Sequence, residues 1–407
     1  MPTVVLVGCL DTKGEEFAFA WDCLRANGVK VLVVDTSVLG SPAFTADISR
    51  HEVAASAGED LAELASSGTG AKAVEAMATG AQAMVTRLFD DGHLDGAMAL
   101  GGTGGTSIGA RAFRNLPIGV PKGIVSTAAV TGNAPAYIGQ SDLILFPAVT
   151  DVAGLNRISA HVISNAAAAI AGMVKAEKPH LETARPAIAA SMFGVTTPGV
   201  TAARKHLAEL GYEVIVFHMT GVGGRTLERL VREDHFAGVL DVTTHELADE
   251  LAGGVFAGDP ERATVAGTQG VPQVVSVGAL DMVNFHTPDT VPAKYSDRQT
   301  LVHNPAVTII RILPDEAAEL GKRLARRLST ATGPTALYLP LRGMSEYGVP
   351  GGPFHDPEAD AAMYSAIRTH IDPQRVELVE RDLAINDPLF TVEMADHVHH
   401  YIQRQTP

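Results

Sequence analysis

The stretch "TVVLVGCLDTKGEEFAFAWDCLRANGVKVLVVD" (residues 3–35) decides the fold. "TVVLVG" and "VKVLVVD" are short apolar runs, and "EEFAFAWDCLRANG" between them has helical periodicity. Apolar strand, turn, amphipathic helix and apolar strand together make the βαβ unit of a parallel sheet covered on both faces.

The same alternation continues outward. "LDGAMALGG", "GIVSTAAV" and "DLILFPAV" read as buried strands, separated by the helical stretches "EVAASAGEDLAELASS" and "AKAVEAMATGAQAMVTRLF". After a long Ala-rich helix ("NRISAHVISNAAAAIAGMVKAEK") the order restarts with "AIAASMFG", "YEVIVFHMTG", "FAGVLDVT" and "VPQVVSVG" as strands. "TALYLPLRG", a helix near 356–371, "RVELVERD" and a final helix complete it. Charge and proline displace apolar periodicity near 175–187, which places the join there. The expected domains are residues 1–180 and 181–407, both Rossmann-like α/β lobes with parallel sheets flanked by helices and a ligand cleft between them.

The halves resemble each other. "RANGVKVLVVDTS" matches "AELGYEVIVFHMT", and "GVPKGIVST" (119–127) matches "GVPQVVSVG" (270–278), in corresponding order. An old duplication is the expected origin, with the shared packing demands of short βα units as the alternative.

Composition narrows the function. With 407 residues and 46% hydrophobic content, the chain can build two cores. A net charge of −15 argues against a general nucleic-acid binder, which needs a basic face. No run reads as a signal core or as long and apolar enough for a bilayer, and Cys9 and Cys23 read as cytosolic thiols. The expected protein is cytoplasmic, without membrane or nucleic-acid partners.

Open α/β sheets bind ligands beyond the carboxyl ends of their strands. Here "VGCLDTKGEE" places Asp11, Thr12 and Lys13 at the first strand end. Thr12 and Glu15 have the spacing of a capping box, Lys13 adds a mobile positive charge, and Asp11 is placed to orient a metal-bound water. The order Thr-Lys-Gly is not that of a P-loop. Asp35 ends the second strand, where an acid accepts from ribose hydroxyls or caps a turn. "ALGGTGGTSIGA" (99–110) concentrates Gly101, Gly102, Gly104, Gly105 and Gly109 with the hydroxyls of Thr103, Thr106 and Ser107. Such a turn between strand and helix lets backbone N–H groups approach an anion.

In the second half, "FHMTGVGGRT" carries His218 and Arg225, and "LDVTTHELADE" carries Asp241, His245 and Asp249. His218, Asp241 and His245 are a conceivable metal trio, but their spacing fits no established zinc pattern, so metal ligands stay unassigned. "LPLRGMSEYGVPGG" brings Arg342 as an anion clamp and Ser345, which lacks the Gly-x-Ser-x-Gly setting of a nucleophile.

"VGCLDTKGEE", "VVDTSVLG", "GGTGGT", "TDVAGLNRI", "FGVTTP", "FHMTGVGG", "DVTTHELADE", "GALDMVNF" and "PLRGMSE", in this order, resemble the motif set of one largely uncharacterised family. Its plant member is a tomato mosaic virus resistance protein, whose N-terminal inhibitory region has this architecture. The resemblance runs through nearly the whole chain. It implies a two-lobed Rossmann-like fold, dimerisation, and ATP and Mg²⁺ binding in the first lobe. By motif, Asp11, Thr12, Lys13, Asp35, Gly102, Gly104, Gly105 and Thr106 become the ATP candidates. The plant protein's additional barrel domain is absent from this sequence, so virus inhibition does not carry over. The expected activity is ATP-dependent phosphoryl or nucleotidyl transfer to a small acid or sugar-like substrate. Lys13, Arg225, Asp241, His245 and Arg342 are its candidate catalytic residues. A nucleotide-responsive regulatory module and an ATP-independent metal hydrolase or lyase are the alternatives.

Overall fold

The structure is a computed structural model that describes residues 1–66, 70–177 and 185–405. The chain divides into two compact units, Met1–His180 and Leu181–Pro407. The expected join at 175–187 falls largely outside the described residues.

The first unit has strands β1 (Thr3–Gly8), β2 (Lys30–Asp35), β3 (Gly96–Gly101), β4 (Lys122–Ser126) and β5 (Ile144–Pro147). Its helices are α1 (Gly14–Ala26), α2 (Arg50–Ser56), α3 (Leu61–Ser66), α4 (Gly70–Asp90), α5 (Thr103–Arg114), α6 (Ala134–Ile138) and α7 (Arg157–Lys175). The five strands lie parallel in the order β2-β1-β3-β4-β5. Alternate residues of β1 face opposite layers. Val4 and Leu6 pack with Phe17, Ala20 and Leu24 of α1 and the apolar face of α7. Val5 and Val7 pack with α2, α4 and α5. Gly8 lets α1 fold back on the sheet, because a Cβ there would lie 1.7 Å from Phe17 Cζ.

Two expectations are corrected here. The single helix expected over 52–67 is two, α2 and α3. Ser49 and Glu52 form a capping box on α2, and the chain turns at Gly58 (φ +75°) before Asp60 accepts from Ala62 N and Glu63 N at 2.8 and 3.1 Å. In addition, α7 is by length and composition apolar enough to cross a membrane, contrary to the sequence reading. In the structure Ile163, Ala166, Ala167, Ile170 and Ala171 lie against the sheet, the arrangement of a core helix.

The second unit contains β6 (Ala187–Met192), β7 (Glu213–His218), β8 (Gly238–Thr243), β9 (Gln273–Gly278), β10 (Met282–Phe285), β11 (Thr300–Asn304), β12 (Val307–Arg311), β13 (Thr335–Pro340) and β14 (Glu377–Arg381). Its helices are α8 (Thr197–Glu209), α9 (Val222–Arg232), α10 (Glu246–Ala252), α11 (Val265–Thr268), α12 (Pro314–Leu328), α13 (Pro357–His370) and α14 (Pro388–Gln405). The main sheet runs β14-β13-β9-β8-β6-β7, all parallel. Counted within this sheet alone, its first five strands (β6, β7, β8, β9 and β13) follow the same order as those of the first unit. Both sequence matches fall on equivalent strands, β2 with β7 and β4 with β9. The sequence reading missed the antiparallel sheet β10-β12-β11 inserted after β9. Its strands are four or five residues long, too short for periodicity to reveal.

Candidate functional site

In the first unit β1 lies between β2 and β3, and the helices that follow β1 and β3 go to opposite faces. This is a topological switch point, where open sheets leave a crevice beyond their carboxyl ends. Both glycine-containing turns flank it.

The turn after β1 is built differently from the capping box expected at Thr12. The N-cap of α1 is Lys13, and it makes no side-chain cap bond. Phe17 N donates to Lys13 O, so the amides of residues 14–16 precede the first bond of this helix. Lys13 Nζ donates to Val152 O in the turn after β5. Buried Glu16, which the sequence reading passed over, strengthens the same link by accepting from Gly154 N at 2.7 Å. Asp11 Oδ2 accepts from Leu39 N and Gly40 N at 3.2 and 3.0 Å, fixing the loop after β2. Asp35 is only 2% exposed. Its Oδ1 accepts from Leu10 N at 3.3 Å and Ser37 N at 2.9 Å, and from the Ser37 hydroxyl. In place of an open ribose acceptor, the structure has a buried staple between two turns.

The turn after β3 begins at Gly101 (φ +156°), where a Cβ would meet Gly105 Cα at 3.1 Å. Gly102 is the N-cap of α5 and has no side chain to cap it. Thr106 N makes the first helical bond, to Gly102 O at 2.8 Å, so the amides of residues 103–105 precede it. Two of the three hydroxyls expected to face an anion are engaged within the turn, while Thr103 is exposed. Thr106 Oγ1 donates to Gly102 O at 2.7 Å and shares a 2.6 Å bond with Ser126 Oγ, and Ser107 Oγ donates to Thr103 O. Backbone N–H groups, including those of Gly104 and Gly105, remain as donors at this turn beside the exposed Thr103.

A cavity of about 340 Å³ adjoins the first turn, with Cys9, Asp11, Thr12 and Thr36 on one side and Met77 and Ile108 on the other. Burial pushes the Cys9 thiol up, which disfavours its thiolate, and Sγ contacts Thr36 O and Oγ1 at 3.6 and 3.5 Å. A second cavity of about 500 Å³ lies at the ends of β4 and β5, lined by Ser126, Thr127, Val149 and Asp151 among others.

The second unit uses its predicted residues otherwise. Asp241 is buried, and both its oxygens accept from Arg262, at 2.5 and 2.8 Å. Arg262 also donates to Glu246 Oε2 at 2.7 Å and lies 3.6 Å from Glu228. One fully buried guanidinium thus gathers three carboxylates from α9, β8 and α10. Arg262 has no sequence signal, because it sits in an irregular segment between helices. The glycine cluster 221–224 is likewise filled from within. Glu246 Oε1 accepts from Gly221 N and Gly224 N at 2.6 and 3.1 Å, so the N-terminus of α9 already holds a carboxylate.

His245 is fully buried and stacks on Phe193 at 4.2 Å, with neither ring nitrogen hydrogen-bonded. Burial, with the nearby Arg262 and His218 charges, pushes its pKa down to about 3, so it is neutral and a weak base. His218 is exposed at 5.5 Å from Phe193. With Asp241 committed to Arg262, the conceivable trio of His218, Asp241 and His245 does not assemble. Among the described residues no group of three His, Cys, Asp or Glu side chains could hold a metal ion. Arg225 Nη1 donates to Ala257 O at 3.1 Å. Arg342 is exposed and pairs with Asp382 through two bonds of 2.8 Å, so an anion would have to displace that carboxylate. Ser345 is buried and hydrogen-bonds Asp281 Oδ2 at 2.5 Å, and among the described residues no histidine hydrogen-bonds its hydroxyl.

Comparison with known proteins supplies kinship. A UPF0261 protein from Clostridium tetani is 41% identical over 392 residues, covering 96% of this chain and 97% of its own. The ToMV resistance protein Tm-1(GCR237) of Solanum lycopersicum is 40% identical over 330 residues, covering 80% of this chain but 44% of its own length. A solved UDP-N-acetylglucosamine 2-epimerase covers 91% of both chains at 11% identity with a TM-score of 0.23. Models of the Uncharacterised protein family (UPF0261) match residues 2–179 with the N-terminal domain and 185–402 with the C-terminal domain. The chain therefore belongs to the uncharacterised protein family UPF0261, over both of its domains.

Proposed function

We propose that the first unit binds ATP with Mg²⁺ at the β1/β3 switch point, and that the protein is an ATP-dependent enzyme acting on a small acid or sugar-like metabolite. One observation carries this reading. Neither α1 nor α5 has a side-chain cap, and both begin at the carboxyl edge of adjacent strands. Their first-turn amides and positive dipole ends suit phosphate oxygens. The contrast with α9 sharpens the point, since Glu246 already serves as that helix's anion. Lys13 adds a cation, and the cavity beside Thr12 and Met77 has room for the nucleoside end. Asp11 accepts from Leu39 N and Gly40 N through Oδ2 alone, which leaves Oδ1 outside those bonds. That fits a magnesium ion held chiefly by phosphate and water, as Mg²⁺ ordinarily is. When bound, Mg²⁺ neutralises charge on the phosphates. Lys13 and the amides of α1 and α5 then hold and orient the triphosphate.

Hydrogen exchange of the full chain with and without ATP and Mg²⁺ tests the site. Protection centred on residues 9–16 and 101–107 supports it; protection elsewhere, or none, overturns it. Phosphate release measured across a panel of small acids and sugars tests the activity. ATP binding without substrate-stimulated turnover would replace the enzyme with a nucleotide-responsive module.

A further inference from the structure

A groove of about 640 Å³ runs along the outer edge of the first sheet, between α1, β2 and residues 43–47. Its floor is aromatic and aliphatic: Trp21, Phe44, Val31 and Val33. All four also belong to the core packing beneath, so the floor is fixed. Its polar rim is acidic. Glu15, Asp22 and Asp47 line it, and no lysine or arginine does. Among the described residues none of these three carboxylates forms an ion pair. Asp47 is held in place because its Oδ2 accepts from Val33 N at 2.8 Å. Glu15 and Asp22 are seven apart on α1, hence on one face, with Trp21 beside them. Trp21 already carries a cation, since Arg25 Cζ lies 4.4 Å from its ring centroid.

We propose that this groove is a binding site for an organic cation, a substituted ammonium or guanidinium group on an apolar body. The physical reasons are complementary. A cation gains from the negative face of an indole ring and from unpaired carboxylates. Its apolar body gains from covering the Val31, Val33 and Phe44 surface. The volume is that of a small-molecule site. An anionic or nucleotide ligand is disfavoured here by the same three carboxylates, so the groove and the switch point select opposite charges.

Trp21 is the only tryptophan in the chain, so its fluorescence reports the groove directly. The full-length protein is titrated with benzyltrimethylammonium, with benzyl alcohol as the neutral comparison. The expected result is a saturable change in Trp21 emission with the cation at millimolar concentration and a much weaker one with the alcohol. Asp22→Asn and Glu15→Gln should each weaken the cation about two- to fivefold, and raising the salt should weaken it further. Glu209→Gln, an exposed acid on α8, should leave it unchanged, which separates a local site from the attraction of a net negative protein. No saturable response, an equal response to the alcohol, or equal weakening by all three substitutions would overturn the proposal. So would a Trp21 shift that follows protein concentration in the absence of any cation, which would make a second copy the occupant.

Discussion

The carboxylate of Glu246 accepts from the backbone N–H of Gly221 at 2.6 Å and so occupies the start of α9. Of the glycines in "GVGG", Gly224 admits that approach, whereas a Cβ on Gly223 would lie 1.9 Å from His218 O. Gly221 has φ +76°, and a Cβ on Gly224 would lie 2.0 Å from Glu246 Oε2. The same carboxylate binds Arg262, so one side chain ties three segments together.

Glu246→Ala should therefore be severely destabilising. It uncaps α9 and removes one of the close carboxylates from a fully buried guanidinium. Breaking such a pair from one side typically costs about 3–5 kcal/mol. Urea unfolding followed by circular dichroism measures this, and a loss below about 1 kcal/mol would show that the network is not as drawn.

The pH dependence of stability should show buried carboxylates. Burial, against the pull of Arg262, pushes Glu228 up to about 7 from an ordinary 4.5. Burial likewise raises Asp249 to about 7 from 3.8, although Asn284 and Phe256 donate to it. A raised carboxylate means the folded state binds protons more tightly than the unfolded one. Its contribution is full below about pH 4 and is lost as pH rises through 7. His245 has the opposite sign: its depressed value of about 3 makes acid destabilising between 6.5 and 3. Glu228→Gln should flatten the stability loss between pH 4.5 and 7 by up to about 1.4 kcal/mol per pH unit. Urea midpoints at half-unit pH steps test it; an unchanged slope would refute the assignment.

Asp35→Ala separates a staple from a ligand. If the carboxylate holds the turns, the substitution leaves Leu10 N and Ser37 N without their acceptor. Thermal stability should then fall by about 1–3 kcal/mol even without nucleotide. Calorimetry of the free protein reads this. An unchanged melting temperature combined with weakened ATP binding would restore the ribose role.

Lys13→Ala should leave the melting temperature nearly unchanged, since the side chain's one bond is to Val152 O on a partly exposed turn. Affinity for ATP with Mg²⁺ should fall about tenfold, or about 1.4 kcal/mol. Titration calorimetry showing equal affinity would remove Lys13 from the triphosphate.

The sequence by itself determined the layering and the punctuation. Alternating apolar strands and amphipathic helices can bury both faces of a sheet in one way, and "ALGGTGGTSIGA" can only be a tight strand-to-helix turn, so both were legible from local chemistry. The family resemblance was legible for the same reason, since its motifs are those turns. What only the tertiary structure decided was the direction in which polar side chains point. Asp35, Asp241, His245 and Thr106 looked like site residues because they end strands or begin helices, yet packing turned each of them inward. Their partners are Leu10, Arg262, Phe193 and Ser126, between 20 and 52 residues away in sequence. No local pattern encodes such a pairing. It exists only once the sheet order brings distant turns to one edge, where each buried charge and hydroxyl must find a partner or shift its protonation.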